Sequence, residues 1–168
     1  QDNTVNAVKY NNRINNFYNR LYNARDPPTA EFTAVVNANI DTLYSSAWLD
    51  LSENHVTLKL PVADKNIFSL FTAMDLWSNV IWSVELKDYE QTIHFYYLNK
   101  PIGNSNDEYV KLSTSVVWLL GRTQVLNLEI NQVHKLQDKY KIFVDGNEQE
   151  NLGEPITVDY NPSQIVND

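Results

Sequence analysis

The chain has 168 residues, 43% of them hydrophobic and 20% charged, which is enough for one domain with its own core. Its formal net charge of -8 argues against non-specific nucleic-acid binding, which needs clustered Lys and Arg on phosphates, and disfavours anionic membrane surfaces. With no cysteine, it has no disulfides, thiolate nucleophiles or Cys-ligated metals.

Residues 3 to 23 place Val5, Val8, Ile14, Phe17, Tyr18, Leu21 and Tyr22 at spacings of three and four. That period predicts an N-terminal helix, capped by Asp2 or Asn3 and ended by Asp26-Pro27-Pro28. Short apolar or alternating runs follow at 31–36, 43–51, 55–60, 66–74, 80–86, 92–98, 109–112 and 115–123. Asn, Asp, Pro, Gly or Lys separate most of them, the punctuation of a strand-rich fold. Val56, Leu58 and Leu60 alternate with Thr57 and Lys59, which marks a strand with one wet face. Residues 101 to 107 read as a polar loop. A second helix is predicted over 127–140, with Leu128, Val133, Leu136 and Tyr140 as its inner stripe. Ile142–Val144 reads as a further short strand, and Asp145-Gly146-Asn147 as a turn. The fold class is α+β, mostly β: an antiparallel β-sandwich or partial barrel with an N-terminal helix and a second helix near 127–140. The expected organisation is one β-rich domain over 1–147 and an acidic tail or linker over 148–168.

Three groups of residues carry candidate chemistry. Asp41, with Asn39, Thr42 and Tyr44, reads either as a binding or acid–base cluster or as a structural corner, in which a carboxylate accepts backbone N–H bonds. Asp75, Trp77 and Asn79 alternate, so on a strand they share one face. A carboxylate, an indole and an amide together make a small-ligand or sugar surface, and the plainer reading is a core-edge Trp between two loop caps. Arg122 follows the apolar run 116–120 and Gly121, where a guanidinium pairs with a carboxylate such as Asp41 or Asp75, or clamps an anion. His55, His94 and His134 have no metal-ligand spacing, so no metal site is expected. No Gly-x-Ser-x-Gly elbow, P-loop or Gly-x-Gly-x-x-Gly occurs, so serine hydrolysis and nucleotide cofactors lack support, and no cofactor is expected.

Four blocks carry a resemblance to a known family. They are Asn39-x-Asp41-Thr42-x-Tyr44 with Trp48-Leu49-Asp50-Leu51; Leu58-x-Leu60-Pro61; Asp75-Leu76-Trp77-Ser78-Asn79-Val80; and Val117-Trp118-Leu119-Leu120-Gly121-Arg122-Thr123 with Leu136-Gln137-Asp138-Lys139-Tyr140. In order and spacing over Phe32 to Phe143 the chain resembles the domain of unknown function 1254. The resemblance implies a second module, the domain of unknown function 1214, after a linker that 154–168 resembles. It also implies an exported bacterial or large-DNA-virus setting, and no settled reaction. Where relatives carry an Arg- and Gly-containing stretch and then a Gly-Pro-Gly-like turn, this chain has Ile81-Trp82-Ser83-Val84-Glu85-Leu86 and Tyr96-Tyr97-Leu98-Asn99-Lys100. A site shaped by those glycines is therefore altered here.

The functional expectation is a non-catalytic structural or binding module of a secreted or virion-associated protein. The alternative is a small-molecule enzyme with an acid–base site built from Asp41, Asp75 and Arg122. The start at Gln1 suggests a processed or excised chain, and the expected location is extracytoplasmic or virion, with cytoplasmic as the alternative. The expected partner is a second domain of the same parent protein or another copy of the chain, met by one partly covered face of the aromatic run 92–98. Nucleic acid and membrane insertion are not expected. Asp41, Tyr44, Asp75 and Arg122 are expected to meet in one polar cluster.

Overall fold

A computed structural model describes residues 17–27, 41–125 and 130–153. These residues build two five-stranded sheets packed face to face. One sheet has the order β1-β2-β8-β4-β5 and the other β10-β9-β3-β6-β7. The strands are β1 Tyr22–Asn23, β2 Thr42–Asp50, β3 Val56–Leu60, β4 Ser69–Met74, β5 Val80–Glu85, β6 Gln91–Tyr96, β7 Glu108–Lys111, β8 Val116–Gln124, β9 Lys141–Val144 and β10 Asn147–Gln149. One helix, α1 Ile130–Gln137, joins β8 to β9.

Alternation decides which side chains meet. In β2, Leu43, Ser45, Ala47 and Leu49 are buried while the residues between them are half-exposed. Facing them from the second sheet are Val56, Leu58, Leu60, Ile93, Phe95 and Ile142, in a single core cluster. Within the first sheet Gly121 is buried on β8. A Cβ there would lie 2.7 Å from the Phe71 ring, so glycine is what lets β8 pass beneath Phe71. Beside it, three buried hydroxyls close a triangle: Ser69 to Thr123 at 2.9 Å, Ser69 to Tyr140 at 2.9 Å and Thr123 to Tyr140 at 3.0 Å. Each hydroxyl can donate to the next, so the ring satisfies all three groups. It ties β4 and β8 to the residue that ends the α1 turn.

The sandwich is closed by backbone contacts along one side and by a side-chain contact along the other. Tyr22 bridges Leu152, and the Leu152 N–H donates to the Leu21 carbonyl at 2.8 Å, joining the β1 edge to the chain beyond β10. At the opposite side a side-chain contact, Trp82 Nε1 donating to Glu108 Oε1 at 2.7 Å, links the β5 and β7 edges.

Several expectations change. The described end of the predicted N-terminal helix is not helical: Phe17–Asn19 is a turn and Tyr22–Asn23 is β1. Asn19 has φ 62° and donates its N–H to the Trp48 carbonyl, so β2 captures the backbone a helix would have used. Residues 3–16 and the run at 31–36 lie outside the described residues. The sheets are antiparallel except that β7 runs parallel to β6. The chain between them, 97–107, therefore returns across the sheet instead of turning tightly. Glu148 and Gln149, expected in the tail, pair with β9 across the Asp145-Gly146 turn, where φ is 47° and 85° as a type I′ hairpin requires.

Candidate functional site

Asp75 does not sit on a strand face. It opens the five-residue connection between β4 and β5, and its carboxylate accepts four hydrogen bonds. Oδ1 takes the N–H groups of Trp77 and Asn79, both at 2.9 Å; Oδ2 takes Asn79 Nδ2 and Ser113 Oγ, both at 3.0 Å. Ser78, at φ 64°, turns the chain, and the Asp75 N–H donates to the Asn79 carbonyl. Burial pushes this carboxyl up, but the bonds from Asn79, Ser113 and Trp77 outweigh it and hold Asp75 below its usual range. The expected shared strand face of Asp75, Trp77 and Asn79 is thus replaced by a caged turn: Asx-type bonding competes with the ladder and wins. The cage carries Leu76, Trp77, Val80 and Ile81 outward, with Trp77 79% exposed.

Tyr44 and Arg122 do come together. They are directly opposed between β2 and β8, with the guanidinium 6.0 Å from the Tyr44 ring centre. Next along the same outer face, Trp48 stacks on Trp118 at 5.8 Å and 14°. Asp75 stands apart from this pair. Met74 lies opposite Trp118, four positions from Arg122 on β8, which is roughly 13 Å at strand spacing. Asp41 is exposed, its carbonyl accepts the Val125 N–H, and it precedes β2 beyond the Tyr44–Arg122 pair. Asn39 lies outside the described residues. The single polar cluster expected of Asp41, Tyr44, Asp75 and Arg122 is therefore divided between the two ends of one sheet face. Among the described residues Arg122 forms no ion pair, and no group of three His, Asp or Glu is placed to hold a metal.

A second polar constellation was not legible in the sequence. On the outer face of the other sheet, Thr57, His94 and Tyr109 lie side by side across β3, β6 and β7. Thr57 Oγ1 is 2.8 Å from His94 Nδ1, and His94 Nε2 is 3.0 Å from Asp107 Oδ2. In a neutral ring both contacts are satisfied when Thr57 donates to Nδ1 and Nε2–H donates to Asp107. The Tyr109 ring stacks on His94 at 4.7 Å, and Lys100 Nζ lies 4.6 Å above Tyr109. Burial and the Asp107 charge push the Tyr109 phenol up. This is the polarity of a proton relay, and its Thr57 end is only 5% exposed, between His94 and Phe143. What the relay does visibly is bind the 97–107 crossover to the sheet. No sequence spacing signals it, because only the strand register brings 57, 94 and 109 together.

One solved structure shares the fold. The VPA0106 protein of Vibrio parahaemolyticus has a crystal structure similar over 75% of this chain, with TM-score 0.59 and 23% identity, and the match covers 34% of that protein. A putative uncharacterized protein of Burkholderia cenocepacia matches over 84% of this chain and 38% of its own, with TM-score 0.43 and 12% identity. The chain thus spans about a third of the length of these structures. No curated protein matches it. The model of the family described as "Protein of unknown function (DUF1254)" matches residues 18–143, and the chain belongs to that family.

Proposed function

We propose that the chain is a non-catalytic binding module that docks, through the aromatic tip between β4 and β5, on another folded module of a longer polypeptide. One observation carries the reading. A buried carboxylate with four hydrogen bonds and a left-handed serine hold an uncharged, apolar tip in water, with Leu76 55%, Trp77 79%, Val80 61% and Ile81 38% exposed. A core does not need this arrangement, and contiguous exposed apolar residues mark interfaces. The length of the solved relatives supports a further module as the occupant, since the match covers only 34% of one of them. The proposal includes the extracytoplasmic or virion setting that the family resemblance implies.

Hydroxyl-radical footprinting of Trp77, in this chain and in a polypeptide extended by the following module, tests the docking. The expected result is strong labelling in the short chain and protection in the long one. Trp77→Ser should leave the short chain's melting unchanged and loosen the two modules. Equal labelling in both, or protection that appears in the short chain as its concentration rises, would overturn the reading; the latter would make the occupant a second copy.

A further inference from the structure

Where α1 meets β1 and β2, two amide side chains are buried and half-used. Asn23 is 5% exposed and Gln137 is fully buried. Asn23 Nδ2 donates to the Gln137 carbonyl at 3.3 Å, and Gln137 Nε2 donates to the Ala24 carbonyl at 3.2 Å and to Ser45 Oγ at 3.4 Å. The two side chains thus reach past each other: Asn23 holds the backbone of Gln137, and Gln137 holds that of Ala24, the residue after Asn23. Both nitrogens are committed, while Asn23 Oδ1 and Gln137 Oε1 have no partner. Rotating either amide by 180° is no remedy, because it would set a carbonyl oxygen against a carbonyl oxygen.

Ser45 adds a third element. It lies directly opposite Asn23 in the β1–β2 register and is fully buried. Its oxygen accepts from Gln137, and among the described residues its hydroxyl hydrogen has no acceptor. The junction therefore offers two acceptors lacking donors and one donor lacking an acceptor. A buried acceptor left in that state is costly, so an occupant that completes the set is favoured.

We propose that this junction is a binding site for one internal water molecule, which donates to Asn23 Oδ1 and Gln137 Oε1 and accepts from the Ser45 hydroxyl. Three hydrogen bonds are the usual complement of a buried water. A monovalent cation matches the oxygens but not the charge. The groups at the site are neutral, and the ionised pair nearest in the fold, Arg25 with Asp138, is already self-compensating, with Arg25 Nη1 donating to the His134 carbonyl at 3.2 Å. An ion here would be desolvated with no counter-charge. The site makes α1 part of the sheet through solvent, in addition to the apolar contacts of Val133 and Leu136.

A crystal structure at high resolution of the 168-residue chain, grown with sodium and with potassium salts, tests this. The expected result is the same density in both, about 2.7–3.2 Å from Asn23 Oδ1 and from Gln137 Oε1, as hydrogen bonds require. Water-to-protein cross-relaxation in solution should show a long-lived water at the Asn23 and Gln137 amide hydrogens, and Gln137→Met should abolish it. Direct contact between the two amides, no long-lived water, or density with ligand distances near ~2.4 Å, as for a cation, would each overturn the proposal.

Discussion

Tyr140 shows how much one hydroxyl can hold. Its ring meets Phe71 edge-on at 4.9 Å, and its Oη completes the triangle with Ser69 and Thr123. Tyr140→Phe keeps the ring and removes the oxygen. Ser69 and Thr123 then retain each other, so the expected loss is about 1–2 kcal/mol in urea unfolding rather than collapse. Burial also raises the Tyr140 phenol above its ordinary value, with the bonds from Ser69 and Thr123 only partly opposing. A group whose folded pKa is raised stabilises fully below its unfolded value, about 10 for tyrosine, and loses that contribution as pH climbs through the folded value. Stability should therefore fall on the alkaline side of pH ~10, and Tyr140→Phe should flatten that fall. Asp75 works in the opposite sense. Its lowered carboxyl contributes above the unfolded value of about 4 and loses the contribution as pH drops through the folded one. Asp75→Asn should remove that part of the acid-induced loss, lower the melting temperature at neutral pH and loosen the Trp77 turn, which hydrogen exchange would show at the Trp77 and Asn79 amides.

At the scale of elements, the sequence was most readable where period and burial agree. Val56, Leu58 and Leu60 alternate, and β3 is where they place it. The aliphatic run around Trp118 became β8, within a residue at each end of its predicted span. The second helix is also there, but as Ile130–Gln137 rather than 127–140, because tight turns at Lys139 and Tyr140 end it; residues 127–129 lie outside the described residues. The failures have physical causes. Phe17, Tyr18, Leu21 and Tyr22 keep a helical spacing, yet pairing of Tyr22 with Ser46 and Asn23 with Ser45 makes a strand too short to carry a pattern. Asp75, Trp77 and Asn79 alternate by coincidence across a turn. The crossover after β6 was legible as a loop, but not its attachment, which depends on His94 meeting Asp107. His94→Ala should release it: amide exchange across 99–107 is expected to accelerate at least tenfold, with β3 and β6 little changed. Unaltered exchange would show that Tyr109 Oη, which donates to the Asn104 carbonyl at 3.1 Å, suffices alone.

For the whole molecule, the asymmetry of the two sides matters most. One side is sealed by the chain that follows β10, where Tyr22 bridges Leu152 and Arg20 Nε donates to the Glu150 carbonyl at 2.8 Å. Truncation after Gly146 removes β10 and this seal together. The expected loss is more than about 2 kcal/mol, well beyond an ordinary surface change, measured as a shift in the urea midpoint. A truncated chain as stable as the full one would show that β1 holds without Leu152.

The position of β8 has a consequence for how the protein is made. It lies between β2 and β4, pairing Leu43 with Thr123 on one flank and Ser69 with Thr123 on the other. A ribosome must therefore deliver some fifty residues after β4 before the first sheet has its middle, and until then two strands with apolar inner faces have no neighbour between them. Such long-range pairing makes refolding slow, on the millisecond-to-second scale typical of sandwiches. In the cell it leaves β2 and β4 exposed through much of synthesis, an interval in which a holding chaperone has most to offer.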